Sequence, residues 1–301
     1  MYFKTRTESP ELLIYKSLNN RMVLSEKEKQ YFSNLQKGYD GELMFDSFIE
    51  KLQSNRLVLN DLLLKSNNTT FQIDTLLIMS DTVYVIEVKN YEGDFYFEKD
   101  KLFTRSKVEI VSPLIQLSRT ESLLRQLLNN LGFTIPIQSF VVFVNPEFTL
   151  YQAPMESAFI LPTQILRFIK QLNAKYSKIT EKHKLIAEKL LSLHLTESPF
   201  NKLPAFEYDQ LKKGITCASC DSFSLKVEGR KIKCTNCEHV ETITSSVIRS
   251  VKELRLLFPE NKVTTSIVQD WCKIVDSKKV IRKILVDHFE KNGKFRRTYY
   301  E

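Results

Sequence analysis

The sequence contains two C-x2-C pairs, 13 residues apart, which are formed by Cys217, Cys220, Cys234 and Cys237. Two such pairs can bring four thiolates to one tetrahedral Zn²⁺ ion. The residues between the pairs alternate like two short strands around Gly229, which predicts the β-hairpin of a zinc ribbon. Because four thiolates fill the tetrahedron, we expect a structural zinc ion and no open position for catalysis.

The cellular compartment decides between thiolates and disulfides for these cysteines. The N-terminal sequence lacks the apolar core and cleavage site of a secretory signal, which predicts a cytoplasmic protein in a reducing environment. The longest apolar runs are far shorter than the roughly 18 residues of a membrane-spanning helix, so we expect no membrane partner. The fifth cysteine, Cys272, is expected in the core, and His239 on the surface.

Positive charge is concentrated in the C-terminal third of the chain. Residues 1–199 contain 24 basic and 23 acidic residues, whereas residues 200–301 contain 20 basic and 13 acidic residues. A basic segment indicates a polyanionic partner, above all a nucleic acid, although a solvated surface is also often basic. Tyr299 and Tyr300 could stack on bases. The candidate nucleic-acid-binding residues are Arg230, Lys231 and Lys233 in the ribbon and Lys294, Arg296 and Arg297 in the tail.

The order of predicted elements indicates an α/β domain followed by small modules. Helical periodicity covers residues 41–53, β-prone runs that resemble a meander cover 57–105, and an amphipathic helix begins near Pro113. With only 7 glycines, the chain has neither a G-x-G-x-x-G fingerprint nor a P-loop. We predict five segments: a helical N-terminal extension (1–37) with a Ser25–Glu28 capping box, an α/β domain (38–196), a linker (197–214), the zinc ribbon (215–243) and a helical, basic C-terminal module with a helix-turn-helix or winged arrangement (244–301).

Charged residues interrupt two apolar strands of the α/β domain. Asp74 lies in FQIDTLLIMS, and Glu87 and Lys89 lie in VYVIEVKNYEG. Residues i and i+2 of a strand share a face, so Glu87 and Lys89 are expected to point the same way. If the two strands form a hairpin about Asp81, Asp74 lies close to Glu87. Because buried charges need partners, such a cluster requires a bound cation or mutual pairing.

Two carboxylates in this position have a possible catalytic use. Carboxylate oxygens can hold Mg²⁺ or Mn²⁺ and leave positions for water and a phosphate group. Lys89 could orient or deprotonate the attacking water, or neutralise developing charge. Glu42, near the predicted start of its helix, could add a carboxylate directly or through water. A buried salt bridge between Lys89 and an acid is the structural alternative, and the spacing D-x12-E-x-K does not decide between the two.

At these residues the chain resembles the nuclease-related domain (NERD), a branch of the restriction-endonuclease-like PD-(D/E)xK superfamily. Four motifs occur in order over roughly residues 38–150. GYDGE ends in Glu42 and resembles the family's early Gly-Glu motif, and FQIDTLLI supplies Asp74. VIEVKNYEG supplies Glu87 and Lys89 at the E-x-K motif, and SPLIQ supplies Gln116 at a Pro-x-x-Gln motif.

The resemblance implies a restriction-endonuclease-like core, which is a mixed sheet flanked by helices, and Mg²⁺-assisted hydrolysis of phosphodiester bonds. Ile73 replaces the proline of the superfamily's name, at a position that varies widely. The ribbon resembles those of topoisomerases, and domains of this family often carry extra nucleic-acid-binding modules. The implied roles are metal binding for Asp74 and Glu87, action on water for Lys89, support of the metal for Glu42 and positioning of a ligand or the lysine for Gln116.

We therefore expect a metal-dependent nuclease that acts on nucleic acid, with DNA favoured, while the ribbon and the basic tail bind the substrate. The expected cofactors are Mg²⁺ or Mn²⁺ at the catalytic site and one structural Zn²⁺. A homodimer would supply the second centre needed to cut both strands at once. The alternative is a catalytically inactive nucleic-acid-binding or regulatory protein on a nuclease fold, because a fold does not guarantee an activity.

Overall fold

The structure is a computed structural model that describes residues 1–99, 101–155, 158–196, 199, 201–275 and 277–301, apart from the side chain of Arg296. The chain forms two compact units. The first unit contains residues 1–8 and 33–200, and the second contains residues 9–32 and 201–301.

The described residues form eight α-helices and fifteen strands. The helices are α1 (Pro10–Arg21), α2 (Glu26–Ile49), α3 (Pro113–Asn130), α4 (Ile165–Ala174), α5 (Glu181–Ser192), α6 (Ile243–Leu257), α7 (Thr265–Cys272) and α8 (Lys278–His288). The strands are β1 (Tyr2–Lys4), β2 (Leu57–Ser66), β3 (Thr69–Ile78), β4 (Val83–Lys89), β5 (Gly93–Glu98), β6 (Lys101–Thr104), β7 (Glu109–Ile110), β8 (Ile137–Phe143), β9 (Phe148–Tyr151), β10 (Phe159–Ile160), β11 (Leu225–Glu228), β12 (Lys231–Cys234), β13 (Val240–Thr242), β14 (Lys291–Asn292) and β15 (Tyr299–Tyr300). Among these residues, no helix is both long and apolar enough to cross a membrane.

A six-stranded mixed sheet in the order β1-β2-β3-β4-β8-β10 forms the core of the first unit. Neighbours β2, β3 and β4 are antiparallel, whereas β4, β8 and β10 run parallel to one another. One face packs against α3 and α5, and the other packs against α2 and α4. β4 is apolar on both sides because helices cover both faces, with Val85 in one layer and Ile86 in the other. The predicted mixed sheet flanked by helices is confirmed.

The β-prone residues 57–105 do not form one meander. Strands β2, β3 and β4 pair consecutively, as predicted, but β5 and β6 belong to a separate four-stranded sheet in the order β7-β6-β5-β9. The chain leaves β4 after Lys89, and Gly93 starts β5 with a φ of 94°, which favours glycine. The later strand β8 occupies the place beside β4 and pairs along its whole length from Val83 to Lys89.

The N-terminal region differs from the purely helical extension that the sequence predicts. Strand β1 lies within it and pairs in parallel with β2. Helix α2 runs unbroken for 24 residues through Gly38 and Gly41, where the sequence analysis expected separate helices. No proline interrupts this segment, and each helical glycine costs only about 1 kcal/mol relative to alanine. The predicted capping box is present, because Ser25 N donates to Glu28 Oε2 at 2.7 Å.

The second unit combines the antiparallel ribbon β11-β12-β13 with helices α6, α7 and α8. The predicted hairpin around Gly229 is present, since Glu228 pairs with Lys231 across a two-residue turn. Gly229 takes a φ of 62° in that turn. The three helices are followed by the hairpin β14–β15, which gives the element order of a winged module.

The segment interpreted as a linker contains little regular structure. Residues 197, 198 and 200 lie outside the described residues, and the described part includes one short 3-10 turn, Tyr208–Gln210. The ring of Tyr208 nevertheless packs against Phe258 and Trp271, with centroids 5.5 and 5.7 Å away. Aromatic packing thus ties this part of the segment to α6 and α7 within the second unit.

Candidate functional site

Asp74 and Glu87 meet at the end of the β3–β4 ladder. The ladder pairs Thr75 with Ile86, so the next position places Asp74 opposite Glu87. At this position the side chain of Asp74 takes the place of a backbone hydrogen-bond acceptor, since Val88 N donates to its Oδ2 at 2.8 Å. Both acids are buried, with Asp74 7% and Glu87 4% exposed. The predicted hairpin and the closeness of the two acids are confirmed.

A shift in side-chain alternation accounts for the polar cluster within these apolar strands. Four leucines of β2 face one layer although they are not all two residues apart: Leu57, Leu59, Leu62 and Leu64. Strand β3 shows the matching shift, since Ile73 and Leu76 face the same layer. Asp61, with a φ of 52°, and Asp74 lie at the shift in their respective strands. The local break in the period places polar residues where a regular strand would place core residues.

Lys89 links Glu87 to helix α3. Its Nζ donates to Oε1 of Glu87 at 2.6 Å and to Oε1 of Gln116 at 3.3 Å. Gln116 lies in the first turn of α3, which begins with Pro113 at a position that tolerates proline. Glu87 and Lys89 of the E-x-K motif and Gln116 of the Pro-x-x-Gln motif therefore form one hydrogen-bonded group.

Helix α2 brings Glu42 near Asp74, and Gly41 allows the helix to approach the end of β4 closely. A Cβ atom at Gly41 would lie 2.5 Å from Cβ of Asn90. Asn90 is held in place, since its Nδ2 donates to Lys37 O at 2.7 Å and its Oδ1 accepts from Asn145 Nδ2 at 3.1 Å. The glycine of the Gly-Glu motif thus has a packing role that fixes the position of its neighbour.

Arg6 is a residue of this site that the sequence analysis missed. It follows strand β1, and its side chain is only 2% exposed. The guanidinium donates hydrogen bonds of 2.5–2.8 Å to three carboxylates, those of Glu42, Asp46 and Asp61. Arg6 therefore supplies a buried counter-charge for the acidic residues that surround it.

Arg6 also reaches strand β3. Its Nη2 donates to the backbone oxygen of Asp74 at 3.1 Å and to Oγ1 of Thr75 at 2.9 Å. The sequence contained one signal for this part of the site, because the polar pair Asn60-Asp61 interrupts the apolar run of β2. Nothing in the sequence around Arg6 itself marks it as a partner of residues 36 or more positions away.

The acids of the site carry raised pKa values. Burial raises the pKa of Glu42 to about 9 and the pKa of Glu87 to about 7, and the charge of Asp74 contributes to both. Burial also raises the pKa of Asp74 itself, against the opposing charge of Lys89. Burial acts to lower the pKa of Lys89, but the charges of Glu87 and Asp74 outweigh it and raise that pKa. The site therefore carries more acidic groups than its own cations stabilise as carboxylates.

The donor atoms suit a hydrated divalent cation. Mg²⁺ usually keeps several waters and takes one or two protein carboxylates, which Asp74 and Glu87 can supply. Among the described residues, four cysteines form a group of three or more side chains that could surround one metal ion, and the acids of this site do not form such a group. The acids therefore fit a cation that retains water, and they do not form a closed cage of protein ligands.

The four predicted cysteines come together in the ribbon, with all their Sγ atoms within 4.8 Å of one another. Cys217 Sγ lies 3.6 Å from Cys237 Sγ, and Cys220 Sγ lies 3.6 Å from Cys234 Sγ. Sulfurs at about 2.3 Å from one Zn²⁺ would lie about 3.8 Å apart, so the spacing suits that ion. The backbone N–H two residues further on donates to the sulfurs of Cys217 and Cys234, at 3.4 and 3.3 Å. The cluster can hold a metal ion such as zinc.

Two further residues that could bind a metal, Cys272 and His239, are not part of this cluster. Cys272 is fully buried at the end of α7, and burial raises the pKa of its thiol to about 12. His239 is exposed, and its backbone oxygen accepts from Cys234 N at 2.9 Å. Both positions agree with the sequence analysis.

The predicted nucleic-acid-binding residues lie on two hairpins of the second unit. Arg230 and Lys231 are exposed on the ribbon, and Lys233 is partly exposed and 3.5 Å from Glu238. Lys294 and Arg297 are exposed beside the C-terminal hairpin, and the side chain of Arg296 lies outside the described residues.

Two further positions on these hairpins change the sequence interpretation. Lys226, which the sequence analysis did not select, pairs directly with Lys233 on the ribbon. Like charges in this arrangement repel each other, so an anion bound there would stabilise the ribbon. Tyr300 is buried at 2% exposure, and the expectation that it stacks on bases is therefore wrong.

Comparison with known proteins agrees with the motifs. The family model described as nuclease-related domain (NERD) matches residues 37–144. The matched segment contains Glu42, Asp74, Glu87, Lys89 and Gln116, whereas Arg6 and the four cysteines lie outside it. Searches of curated proteins and of solved structures found no match.

Proposed function

Because the nuclease-related domain model matches residues 37–144, we propose that this protein is a metal-dependent nuclease that hydrolyses phosphodiester bonds, with DNA as the favoured substrate. The observation that carries the proposal is the meeting of Asp74, Glu87 and Lys89 at the end of the β3–β4 ladder inside that domain. Two carboxylates beside a lysine can position a divalent ion, a water molecule and a phosphate group within reach of one another.

Each of these three residues has a role in the proposal. Asp74 and Glu87 hold Mg²⁺, which when bound lowers the pKa of a coordinated water and stabilises charge on the phosphate. Lys89 has a raised pKa and stays protonated at neutral pH. It can therefore donate a hydrogen bond to the attacking water or to a phosphate oxygen, but it cannot accept the proton of the water. Among the roles considered for Lys89, this favours orientation and charge neutralisation.

Gln116 and Glu42 act through other residues. Gln116 Oε1 accepts from Lys89 Nζ at 3.3 Å and so positions the ammonium group. Glu42 is bonded to Arg6 at 2.8 Å and interacts electrostatically with Asp74. We assign Glu42 to the support of the metal-binding acids, through the network that Arg6 holds together.

The second unit contributes substrate binding in this proposal. The cysteine cluster holds Zn²⁺ as a structural ion, because four thiolates leave no position for substrate. Arg230, Lys231 and Lys233 on the ribbon and Lys294, Arg296 and Arg297 in the tail bind phosphates. Such contacts give an affinity that depends strongly on salt and weakly on sequence.

The proposal is tested with purified full-length protein, a supercoiled plasmid and a labelled single-stranded oligonucleotide. Each substrate is incubated with Mg²⁺, with Mn²⁺ or with EDTA. We expect cleavage that requires the divalent ion and falls by about 10²–10³-fold in Lys89→Ala, since the variant loses a charged donor at the reacting phosphate. Lys65→Ala is the matched control, because Lys65 is an exposed lysine of strand β2 in the same unit, and it should cleave like the wild type.

Two results would contradict the proposal. Cleavage that survives in EDTA or in Lys89→Ala would show that the activity does not come from this site. Salt-sensitive binding of both substrates without any cleavage would instead favour the catalytically inactive nucleic-acid-binding protein.

A further inference from the structure

The strongest concentration of positive charge lies at the end of the second unit. Residues 278–297 contain eight lysines and arginines against two acids, so this segment alone has a net charge of +6, while the whole chain has +8. The segment comprises helix α8, the strand β14 and the turn that leads to β15. Neither the nuclease-related match nor the cysteine cluster includes any of it.

Helix α8 separates its apolar and basic residues onto opposite sides. Ile281, Ile284 and Leu285 are buried. The residues at the opposite side follow the i, i+3, i+4, i+7 spacing of one helix face and are all exposed: Lys279, Arg282, Lys283 and Val286. The helix therefore presents a basic stripe to solvent over about two turns.

Among the described residues, no cation of the stripe takes part in an ion pair, although Asp287 lies four positions after Lys283 on the same helix. The ion pairs of the second unit use other cations, namely Arg21, Lys29, Lys233, Arg249 and Lys273. Like charges three and four positions apart on a helix repel one another. The repulsion of Lys279 by Arg282 and by Lys283 therefore destabilises the helix. A bound polyanion would turn this repulsion into attraction.

The C-terminal hairpin extends the same charge beyond the helix. Lys291, Lys294 and Arg297 are exposed, and Phe295 between them is 95% exposed. The hairpin is held by the pairing of Lys291 with Tyr300 and of Asn292 with Tyr299. Its turn requires glycine at Gly293, where φ is 77° and a Cβ atom would collide with the backbone oxygen of Arg297. The basic residues are therefore held on a defined turn.

We propose that helix α8 and this hairpin form a binding face for duplex DNA, in which the stripe of Lys279, Arg282, Lys283 and Val286 enters the major groove and the hairpin contacts phosphates. The major groove is about 12 Å wide and admits one α-helix. An 11-residue helix is about 16 Å long, which suffices to cross the groove. Lysine and arginine can contact guanine edges and phosphates, and an apolar side chain such as Val286 can contact a thymine methyl group.

The surface favours duplex over single-stranded nucleic acid and over an acidic protein. Binding of single strands uses aromatic rings as stacking platforms, but Tyr300 is buried and Lys262 lies over the ring of Tyr299 at 4.7 Å. Protein interfaces are depleted in lysine at their centres, whereas lysine and arginine occupy most of this stripe. Phe295 is the one exposed ring among the described residues of this hairpin.

This inference rests on the proposed function for the identity of the polyanion, but its test does not require catalysis. Full-length protein carrying Lys89→Ala is titrated into a labelled short duplex and into the single strand of the same sequence, and binding is followed by fluorescence anisotropy over a range of salt concentrations. The test variant adds Lys279→Ala, Arg282→Ala and Lys283→Ala. The control adds Lys202→Ala, Lys252→Ala and Arg255→Ala, which removes the same charge from exposed residues of the same unit.

We expect the stripe variant to bind the duplex at least tenfold more weakly, while the control changes affinity by less than about threefold. Each positive charge that neutralises a phosphate contributes about 0.9 to the slope of log affinity against log salt. The three cations of a helix in the groove also lie near the phosphates on either side of it, so their loss should reduce the slope by about 2–3. A charge-conserving variant, Lys279→Arg with Arg282→Lys and Lys283→Arg, should keep most of the slope. Zinc content and circular dichroism establish that all variants are folded.

Several results would overturn the inference. Equal weakening by both triple variants would show a general effect of net charge, and tighter binding of the single strand than of the duplex would assign the face to a different substrate. Absence of any nucleic-acid binding would also reject it. If the protein does not cleave plasmid, but the stripe variant binds duplex more weakly and the control variant does not, the result supports the DNA-binding face and contradicts the nuclease proposal.

Discussion

The guanidinium of Arg6 and the carboxylate of Glu42 lie 2.8 Å apart, although the nuclease-related match begins only at residue 37. Strand β1 pairs with β2 and thereby delivers Arg6 to the acidic residues from outside the matched segment. The same guanidinium bonds to Asp46 and Asp61, so one buried cation serves three carboxylates. An acid that is partly buried keeps its desolvation cost when it loses its cationic partner. Replacement of Arg6 therefore tests how much this partner stabilises the site.

Replacement of Arg6 should destabilise the first unit strongly. We expect Arg6→Met to lower the free energy of unfolding by about 3–5 kcal/mol, because the change leaves the partly buried carboxylates of Asp46 and Asp61 without their counter-charge. Arg125→Met is the control, since the ion pair that Arg125 makes among the described residues is an exposed i,i+4 pair with Glu121, which contributes about 0.3–0.5 kcal/mol. Urea denaturation followed by circular dichroism measures both variants. Equal losses would show that Arg6 contributes no more than a surface ion pair.

The two glycines of α2 should respond in opposite ways to alanine. At Gly38 a Cβ atom meets nothing within 4 Å, so Gly38→Ala should stabilise the helix by up to about 1 kcal/mol. At Gly41 the new Cβ would lie 2.5 Å from Cβ of Asn90, so Gly41→Ala must shift α2 or β4 and should cost about 1–3 kcal/mol. Urea denaturation measures whether each variant is more or less stable than the wild type.

The same pair of variants tests whether the position of Glu42 matters for cleavage. Gly41→Ala moves the backbone next to Glu42 and should reduce plasmid cleavage under conditions in which the variant remains folded. Gly38→Ala, three residues earlier in the same helix, should leave cleavage unchanged. Full activity in both variants would show that the position of Glu42 does not affect cleavage.

Local patterns in the sequence predicted the parts of the fold that depend on local interactions. The spacing of the cysteines and the alternation around Gly229 predicted the ribbon hairpin, because both reflect chemistry between near neighbours. The nearly equal distances of Asp74 and Glu87 from Asp81 predicted their pairing across β3 and β4 for the same reason. Tertiary pairing was harder to predict, since β8 rather than β5 lies beside β4.

Long-range contacts explain what the sequence did not reveal about the site. Arg6 lies 68 positions from Asp74 and belongs to a segment that looked helical, so no local pattern connects the two. The shift in alternation at Asp61 depends on a positive φ, which sequence periodicity does not record. Continuous packing of α2 through Gly38 likewise overrode the expectation of two helices, because tertiary contacts outweigh the intrinsic cost of glycine.

The raised pKa of Glu42 predicts how stability depends on pH without added divalent ions. A carboxyl whose pKa rises from its ordinary value near 4.5 to about 9 on folding contributes stability that is complete below about pH 4.5 and is lost as the pH rises toward 9. Each proton bound on folding changes the free energy of unfolding by about 1.4 kcal/mol per pH unit. The wild type should therefore lose more stability than Glu42→Gln between pH 5.5 and pH 8.5.

Urea denaturation at these two pH values measures the difference. Glu92→Gln is the control, because the hydrogen bond from Lys37 lowers the pKa of exposed Glu92 and its contribution is constant above its ordinary pKa. That control should follow the wild type across the range. An identical pH dependence of wild type and Glu42→Gln would show that Glu42 does not take up a proton on folding.

Replacement of one cysteine of the cluster should remove the zinc ion, whereas replacement of Cys272 should not. We expect one zinc ion per chain in the wild type and a loss of that ion in Cys234→Ser, because three thiolates and a hydroxyl bind zinc much more weakly than four thiolates. Cys272→Ala should keep the full zinc content, since Cys272 is buried at the end of α7 and is not one of the four clustered cysteines. Elemental analysis of the purified proteins gives the stoichiometry. Zinc retained in Cys234→Ser, or lost in Cys272→Ala, would assign the ion to other ligands, whereas the expected result assigns it to the four cysteines of the ribbon.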